Sequence, residues 1–111
     1  MFSEVKSFIQ SALDGQNICL FAYGSTGSGK THTMQGNIVD PKQRGILPRT
    51  ADFIFEEVTR LNLLENVIKI YFSAIEIYNE NVYDLLDKNK TRSPLTVNSV
   101  KEDVRIKNLI W

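Results

Sequence analysis

The feature that most constrains this chain is a glycine-rich motif, Gly24-Ser25-Thr26-Gly27-Ser28-Gly29-Lys30-Thr31. Its order of glycine, four residues, glycine, lysine and threonine is that of a phosphate-binding P-loop. Glycines let the backbone turn tightly, so that successive amides can point at phosphate oxygens. The motif therefore predicts a nucleotide-phosphate site at a turn between a strand and a helix.

The last two positions of the motif have distinct chemical roles in such a site. A helix that begins at Lys30 would direct its unpaired N–H groups and the positive end of its dipole at the anion. Lys30 is expected to reach the β- and γ-phosphates, and the hydroxyl of Thr31 to ligate Mg²⁺. A chance match in a flexible glycine loop is the alternative, expected in fewer than about one chain in a hundred of this length.

The residues around the motif predict alternating helices and strands. Apolar residues recur at three- and four-residue spacing from Phe2 to Leu13, which favours a helix that stops at Asp14-Gly15. Residues 18–23 are apolar nearly throughout and are typical of a strand buried on both faces of a parallel sheet. That strand would bury Cys19, the single cysteine. A second helix is expected from Leu47 onward, with Pro48 in its first turn.

The second half of the chain has the composition of strands and turns. Residues 67–78 are rich in β-branched and aromatic types and predict one long strand, and residues 79–87 a turn with a short apolar stretch. Two further short strands are expected near residues 95–97 and 104–106. The order of helix, strand, helix and strand predicts an α/β layered sheet.

Composition narrows the classes of partner. The 111 residues include thirteen basic and thirteen acidic side chains, so the formal net charge is zero. Nucleic-acid binding depends on many phosphate contacts, and this balance argues against it. No apolar run approaches the length of a membrane span. A single cysteine in an apolar setting favours a reducing compartment, and we expect a cytoplasmic or nuclear location.

A P-loop alone does not hydrolyse a nucleotide. Hydrolysis also needs an acidic group in the shell of the metal ion and a group that positions the attacking water. Asp84 is the nearest acidic candidate, but it does not end a strand, and Glu76 lies inside the predicted long strand. No catalytic residue is assigned from the sequence.

Three stretches of the chain resemble the kinesin motor domain. Within residues 15–34, Phe-Ala-Tyr-Gly leads into the P-loop and Thr-His-Thr-Met ends the stretch. Residues 45–49 read Gly-Ile-Leu-Pro-Arg, and residues 76–86 begin Glu-Ile-Tyr-Asn-Glu. The resemblance implies a kinesin-type P-loop NTPase fold, a layered sheet with helices on both faces. It also implies ATP and Mg²⁺ as ligands, microtubules as the track and a place at the cytoskeleton.

The resemblance also assigns individual positions. His32 stands where the family commonly places a ring against the adenine, although it is also compatible with an ordinary, partly exposed helix residue. Ser25 stands where the family usually has glutamine, and serine preserves a polar side chain in the loop. Residues 36–45 resemble the family's loop beside the nucleotide, or else a solvated connector. Residues 10–15 look most like the C-terminal-motor class.

The resemblance spans residues 1–111 as a partial motor domain. The family's N-terminal strands, both switch regions and the tubulin-docking helices have no counterpart in this sequence. The leading hypothesis is therefore an ATP-binding segment of a microtubule motor, whose longer parent couples hydrolysis to movement. The alternative is a non-catalytic nucleotide-binding or interaction module, and the specific matches argue against an unrelated P-loop enzyme. Uncovered strand edges lead us to expect that the isolated chain is unstable or associates.

Overall fold

The computed structural model describes residues 2–64, 67–88, 93–100, 103–106 and 109. The chain divides into two compact units, Met1–Ile68 and Lys69–Trp111. The described part of the first unit contains α1 (Phe2–Leu13), α2 (Lys30–Met34), a 3₁₀ helix (Pro41–Gln43) and α3 (Ile46–Asn62). Within these described ranges, none of the helices has the length and apolar character needed to cross a bilayer.

The core of the first unit lies between α1 and α3. Val5 and Ile9 of α1 are buried against Ile46 at the start of α3. Four partly buried side chains surround this cluster, namely Phe2, Met34, Phe53 and Ile54. Full burial of one such aliphatic side chain contributes about 1.5–3 kcal/mol, so the apolar faces that predicted both helices also hold them together. Met34 ties the short helix α2 to the same core.

The ends of α3 follow from its sequence. Gly45 precedes the helix with an extended backbone, and Pro48 occupies the first turn, where no intrahelical amide is required. Near the other end, Arg60 pairs with Glu57 at 2.6 Å. The hydrogen bond to Glu57, reinforced by the attraction of its charge, raises the pKa of the exposed Arg60 guanidinium. The predicted second helix is therefore confirmed.

The apolar segment before the P-loop does not form the predicted strand. Residues 18–23 have no ladder partner, and Phe21 and Tyr23 are 83% and 90% exposed. A buried parallel strand needs a paired neighbour on each side and helices on both faces, and residues 18–23 are not paired in a ladder. The prediction of a buried strand is wrong here, and so is that of a buried thiol, because Cys19 is exposed.

The second unit contains two hairpins in its described part. The strands β1 (Ile75–Tyr78) and β2 (Asn81–Asp84) pair antiparallel. Their turn is made by Asn79 and Glu80, whose φ values of 48° and 62° fit a two-residue type I′ turn. Asparagine tolerates this left-handed conformation better than glutamate does.

The predicted long strand over residues 67–78 is correct only in its last four residues. The pairing ends where Ile75 faces Asp84. Beyond that point the Asp84 carboxylate accepts a hydrogen bond from the Leu86 amide at 2.8 Å and turns the chain away. The Leu85 amide still donates to the Ala74 carbonyl at 2.9 Å, and residues 67–73 have no ladder partner among the described residues.

The last two predicted strands are present with shifted ends. The strands β3 (Val97–Val100) and β4 (Asp103–Ile106) pair antiparallel. Leu95, predicted to open the first of them, instead donates its amide to the Val82 carbonyl at 2.7 Å in an isolated bridge. The β3–β4 register therefore begins two residues later than the apolar pattern indicated.

Candidate functional site

The P-loop forms a tight turn that depends on its glycines in two ways. Gly27 and Gly29 adopt φ values of 80° and 90°, in the left-handed region that other residues rarely occupy. Gly24 is needed for space, since a Cβ there would lie 2.5 Å from the Ser28 hydroxyl oxygen. The Ser28 amide closes the turn onto the Ser25 carbonyl at 3.2 Å.

Lys30 closes this turn from the inside. Its ammonium donates hydrogen bonds to the carbonyl oxygens of Gly24 at 2.7 Å and of Ser25 at 2.6 Å. The side chain is partly buried and reaches from the start of α2 back to the first residues of the loop. The positive charge is therefore held within the loop, next to the amides that follow Ser25.

Donor groups also converge at the start of α2. The first hydrogen bond of this helix runs from the Thr33 amide to the Gly29 carbonyl at 2.9 Å. The amides of Lys30, Thr31 and His32 consequently have no partner inside the helix. Thr26 in the loop and Thr31 in the helix are both exposed. The predicted positions from Gly24 to Thr31 thus form one continuous turn and helix start, with amides, an ammonium and hydroxyls close in sequence and space.

The chemistry of this donor set suits an anion better than a bare metal ion. In the part of the chain that the structure describes, no group of three or more His, Cys, Asp or Glu side chains could hold a metal. Mg²⁺ is commonly bound by one or two protein ligands together with phosphate oxygens and water. A single threonine hydroxyl beside a phosphate-binding turn fits that mode.

His32 lies at the mouth of a cleft next to the P-loop helix. The cleft has a volume of about 310 Å³, and His32 itself is exposed. Its other lining residues come from α1, from α2, from the segment between α2 and α3 and from the start of α3: Phe2, Thr33, Lys42, Gln43, Arg44, Gly45, Ile46 and Arg49. The cleft is large enough for a planar heterocycle, and His32 is the lining residue that directly follows the P-loop.

The segment that joins α2 to α3, residues 35–45, is here called the connector. It closes on itself through a bridge between Gly36 and Arg44, and the Asn37 amide donates to the Gln43 carbonyl at 2.9 Å. Gly45 returns against the end of α2, and its amide donates to the Gln35 carbonyl at 2.9 Å. The connector is therefore a folded loop. The sequence alone left two interpretations of it open, a loop beside the nucleotide and a solvated connector.

Arg49 is a residue of this site to which the P-loop pattern did not point. Its guanidinium donates to the carbonyls of Arg44 at 2.8 Å, Lys42 at 3.1 Å and Pro41 at 3.4 Å. Arg44 in turn pairs with Asp52 of α3 at 2.8 Å. The sequence signal that could have revealed Arg49 is its place one residue after the first-turn Pro48, facing the loop that precedes the helix.

The two acidic candidates named from the sequence lie in the β1–β2 hairpin. Glu76 pairs with Tyr83 in the register. Asp84 is the last residue of β2, so the expectation that it does not end a strand is wrong, and its carboxylate accepts a hydrogen bond from the Leu86 amide. Both therefore belong to the second unit, and their local contacts are those of a hairpin and its exit turn.

Comparison with known proteins gives consistent matches along the chain. The family model described as the kinesin motor domain matches residues 1–111. Kinesin-like protein KIN-14D of Arabidopsis thaliana is 43% identical over 103 residues, which is 93% of this chain and 13% of that protein. The protein claret segregational of Drosophila melanogaster is 43% identical over 110 residues, 98% of this chain and 15% of that protein.

A solved structure matches the fold as well. The structure of a fast kinesin, whose title refers to ATPase mechanism and interactions with microtubules, aligns with a TM-score of 0.74 and 34% identity. The match covers 96% of this chain and 30% of that one. The chain thus spans less than a third of the solved motor and a smaller share of the curated relatives.

Proposed function

The chain belongs to the kinesin motor-domain family, and from that premise we propose that it is the ATP-binding segment of a microtubule motor. The observation that carries the proposal is the closed P-loop, in which the Lys30 ammonium is bonded to the carbonyls of Gly24 and Ser25. This arrangement keeps one positive charge and a row of amide donors in one place before any ligand binds, which lowers the cost of binding a triphosphate.

Different groups of the loop would contact the phosphates and the metal ion. Backbone amides between Thr26 and Thr31, apart from the Ser28 amide that closes the turn onto Ser25, would surround the phosphate oxygens. Lys30 would bind the β- and γ-phosphates, and the Thr31 hydroxyl would ligate Mg²⁺. When bound, Mg²⁺ neutralises negative charge on the β- and γ-phosphate oxygens.

The adenine would lie toward the cleft beside α2. His32 offers an imidazole ring at the mouth of that cleft, one residue beyond the phosphate-binding motif. An adenine placed there would lie next to phosphates bound by the loop. Stacking on an aromatic ring is a common way to hold a purine. His32 is therefore proposed as the adenine contact.

Movement along microtubules and hydrolysis belong to a complete motor domain. The chain covers 30% of the solved fast kinesin, and the role proposed for its own residues is nucleotide binding. We place the parent protein at the cytoskeleton, with microtubules as its partner. The competing function, a nucleotide-binding module without catalysis, keeps the same P-loop contacts and differs only in the absence of turnover.

A segment exchange tests whether this chain supports motor activity. The matching segment of the fast kinesin is replaced by residues 1–111, and microtubule-stimulated ATP hydrolysis is measured. We expect the chimera to retain stimulated hydrolysis within about tenfold of its parent, because the phosphate-binding groups are all supplied by this chain.

A chimera carrying Lys30→Met is the matched control and should show no stimulated hydrolysis. A chimera that binds ATP normally but never hydrolyses it would favour the non-catalytic module instead. Loss of both binding and hydrolysis, in a chimera that is folded by circular dichroism, would contradict the proposal.

A further inference from the structure

Arg49 lies near the start of α3 and contacts the connector. Three hydrogen bonds from its guanidinium reach the carbonyls of Pro41, Lys42 and Arg44, and so fasten the returning half of the connector to the first turn of α3. Its planar fork can span several carbonyls at once, which a lysine ammonium on a flexible stem does less well. The guanidinium carbon also lies 6.0 Å from the centre of the Phe2 ring.

The connector is bonded directly to the helix that follows the P-loop. Gly45 donates its amide to the Gln35 carbonyl at 2.9 Å. The amides of Gln35 and Gly36 both donate to the Thr31 carbonyl, at 2.8 and 3.1 Å. A continuous set of hydrogen bonds therefore runs from the connector to Thr31, the last residue of the phosphate-binding motif.

The residues that Arg49 fastens are also walls of the cleft beside His32. The carbonyls of Lys42 and Arg44 accept hydrogen bonds from Arg49, and both residues also line the cleft. Gly45 lies so close to the end of α2 that a Cβ on it would come within 2.6 Å of the Met34 carbonyl oxygen. The position of the connector therefore sets the width of the cleft, and the hydrogen bonds from Arg49 help to fix that position.

From this geometry we infer that Arg49 is a positioning residue that shapes the base subsite and so determines how well the chain distinguishes ATP from the bare triphosphate. The inference rests on the proposed function, since it assumes that the phosphates bind to the P-loop. Arg49 does not touch the phosphates in this assignment. It holds the connector and also lines the cleft itself, so its loss affects the part of the ligand that enters the cleft.

The test compares two ligands on the same variants. Affinities of the 111-residue chain for Mg·ATP and for Mg·tripolyphosphate, which has no base, are measured by titration calorimetry. Arg49→Met removes the three hydrogen bonds but keeps an apolar stem over Phe2, and Arg49→Lys keeps the charge. Arg60→Met is the matched control, an arginine of the same helix whose guanidinium is bonded to Glu57.

We expect both Arg49 variants to bind ATP about tenfold more weakly, the loss typical of one or two hydrogen bonds, while tripolyphosphate affinity stays within about twofold. Arg60→Met should change neither affinity. A purely structural role for Arg49 would lower both affinities together, and the conservative Arg49→Lys variant decides this even if Arg49→Met fails to fold.

Two results would overturn the inference. One is an equal loss of both ligands in Arg49→Lys, and the other is no loss of either. Failure of the proposed function looks different, because the unsubstituted chain would then bind neither ligand, and the inference would fall with it.

Discussion

Replacing Lys30 by methionine abolishes measurable binding of Mg·ATP, with a loss of affinity of at least about a hundredfold. Lys30 is the charged group inside the P-loop, bonded to the carbonyls of Gly24 and Ser25. Contacts between an ammonium and phosphate oxygens are charge-assisted, and each contributes about 1.5–3 kcal/mol. Methionine keeps the length and apolar stem of the side chain, so the loss reports the charge and its donors. Titration with a fluorescent ATP analogue measures it.

The control for this substitution is Lys69→Met, which removes an exposed lysine outside the loop. It should leave the affinity unchanged, because it removes an exposed charge that is not part of the P-loop, and such charges are screened by salt. Equal binding by Lys30→Met and the unsubstituted chain would mean that the nucleotide, if bound at all, is not held by the P-loop.

Replacing Gly36 by alanine destabilises the first unit by about 3 kcal/mol. Gly36 has a φ of 63°, and a Cβ there would overlap the Gln43 carbonyl oxygen and the Gly45 amide nitrogen. Both are backbone atoms of the returning connector, so neither can rotate away. Relief requires the connector to separate from the end of α2, which breaks the hydrogen bonds that hold the two together. Thermal unfolding followed by far-ultraviolet circular dichroism measures the change.

Gly15→Ala separates the two causes of this effect. Gly15 also has a positive φ, of 96°, but a Cβ there would meet no atom within 4 Å. Its replacement should cost only the conformational penalty of about 1–2 kcal/mol. If the two variants lose the same stability, the close approach of the connector to α2 is not what requires glycine at position 36.

What the sequence could predict follows from the range of the interactions involved. The helices α1 and α3 and the P-loop turn are specified by neighbours within a few residues, by apolar spacing and by glycines, and the two helices are confirmed. The α/β class and the kinesin family are confirmed by the matches over the whole chain. Local patterns were therefore sufficient for the helices and for the family.

The wrong predictions concern strands, because the pairing of a strand depends on residues far away in the sequence. Residues 18–23 have the composition of a buried strand, but composition does not supply the neighbouring strands that would pair with it. The strand β1 is short because its partner β2 ends at Asp84, where the chain turns away. Arg49 was missed because its partners are backbone carbonyl oxygens, which carry no sequence signal, and only its place after the first-turn Pro48 pointed to it. The predicted roles of Lys30, Thr31 and His32 stay predictions, and the Lys30→Met variant addresses the first of them.

The most direct test of the central claim is to follow the backbone amides of the chain by NMR as Mg·ATP is added. If a triphosphate is held by the glycine turn, the amide signals of Gly27, Gly29, Lys30 and Thr31 shift and saturate together, and in Lys30→Met they do not move. Saturable shifts confined to other residues, or no shifts at all in a folded chain, would contradict the account.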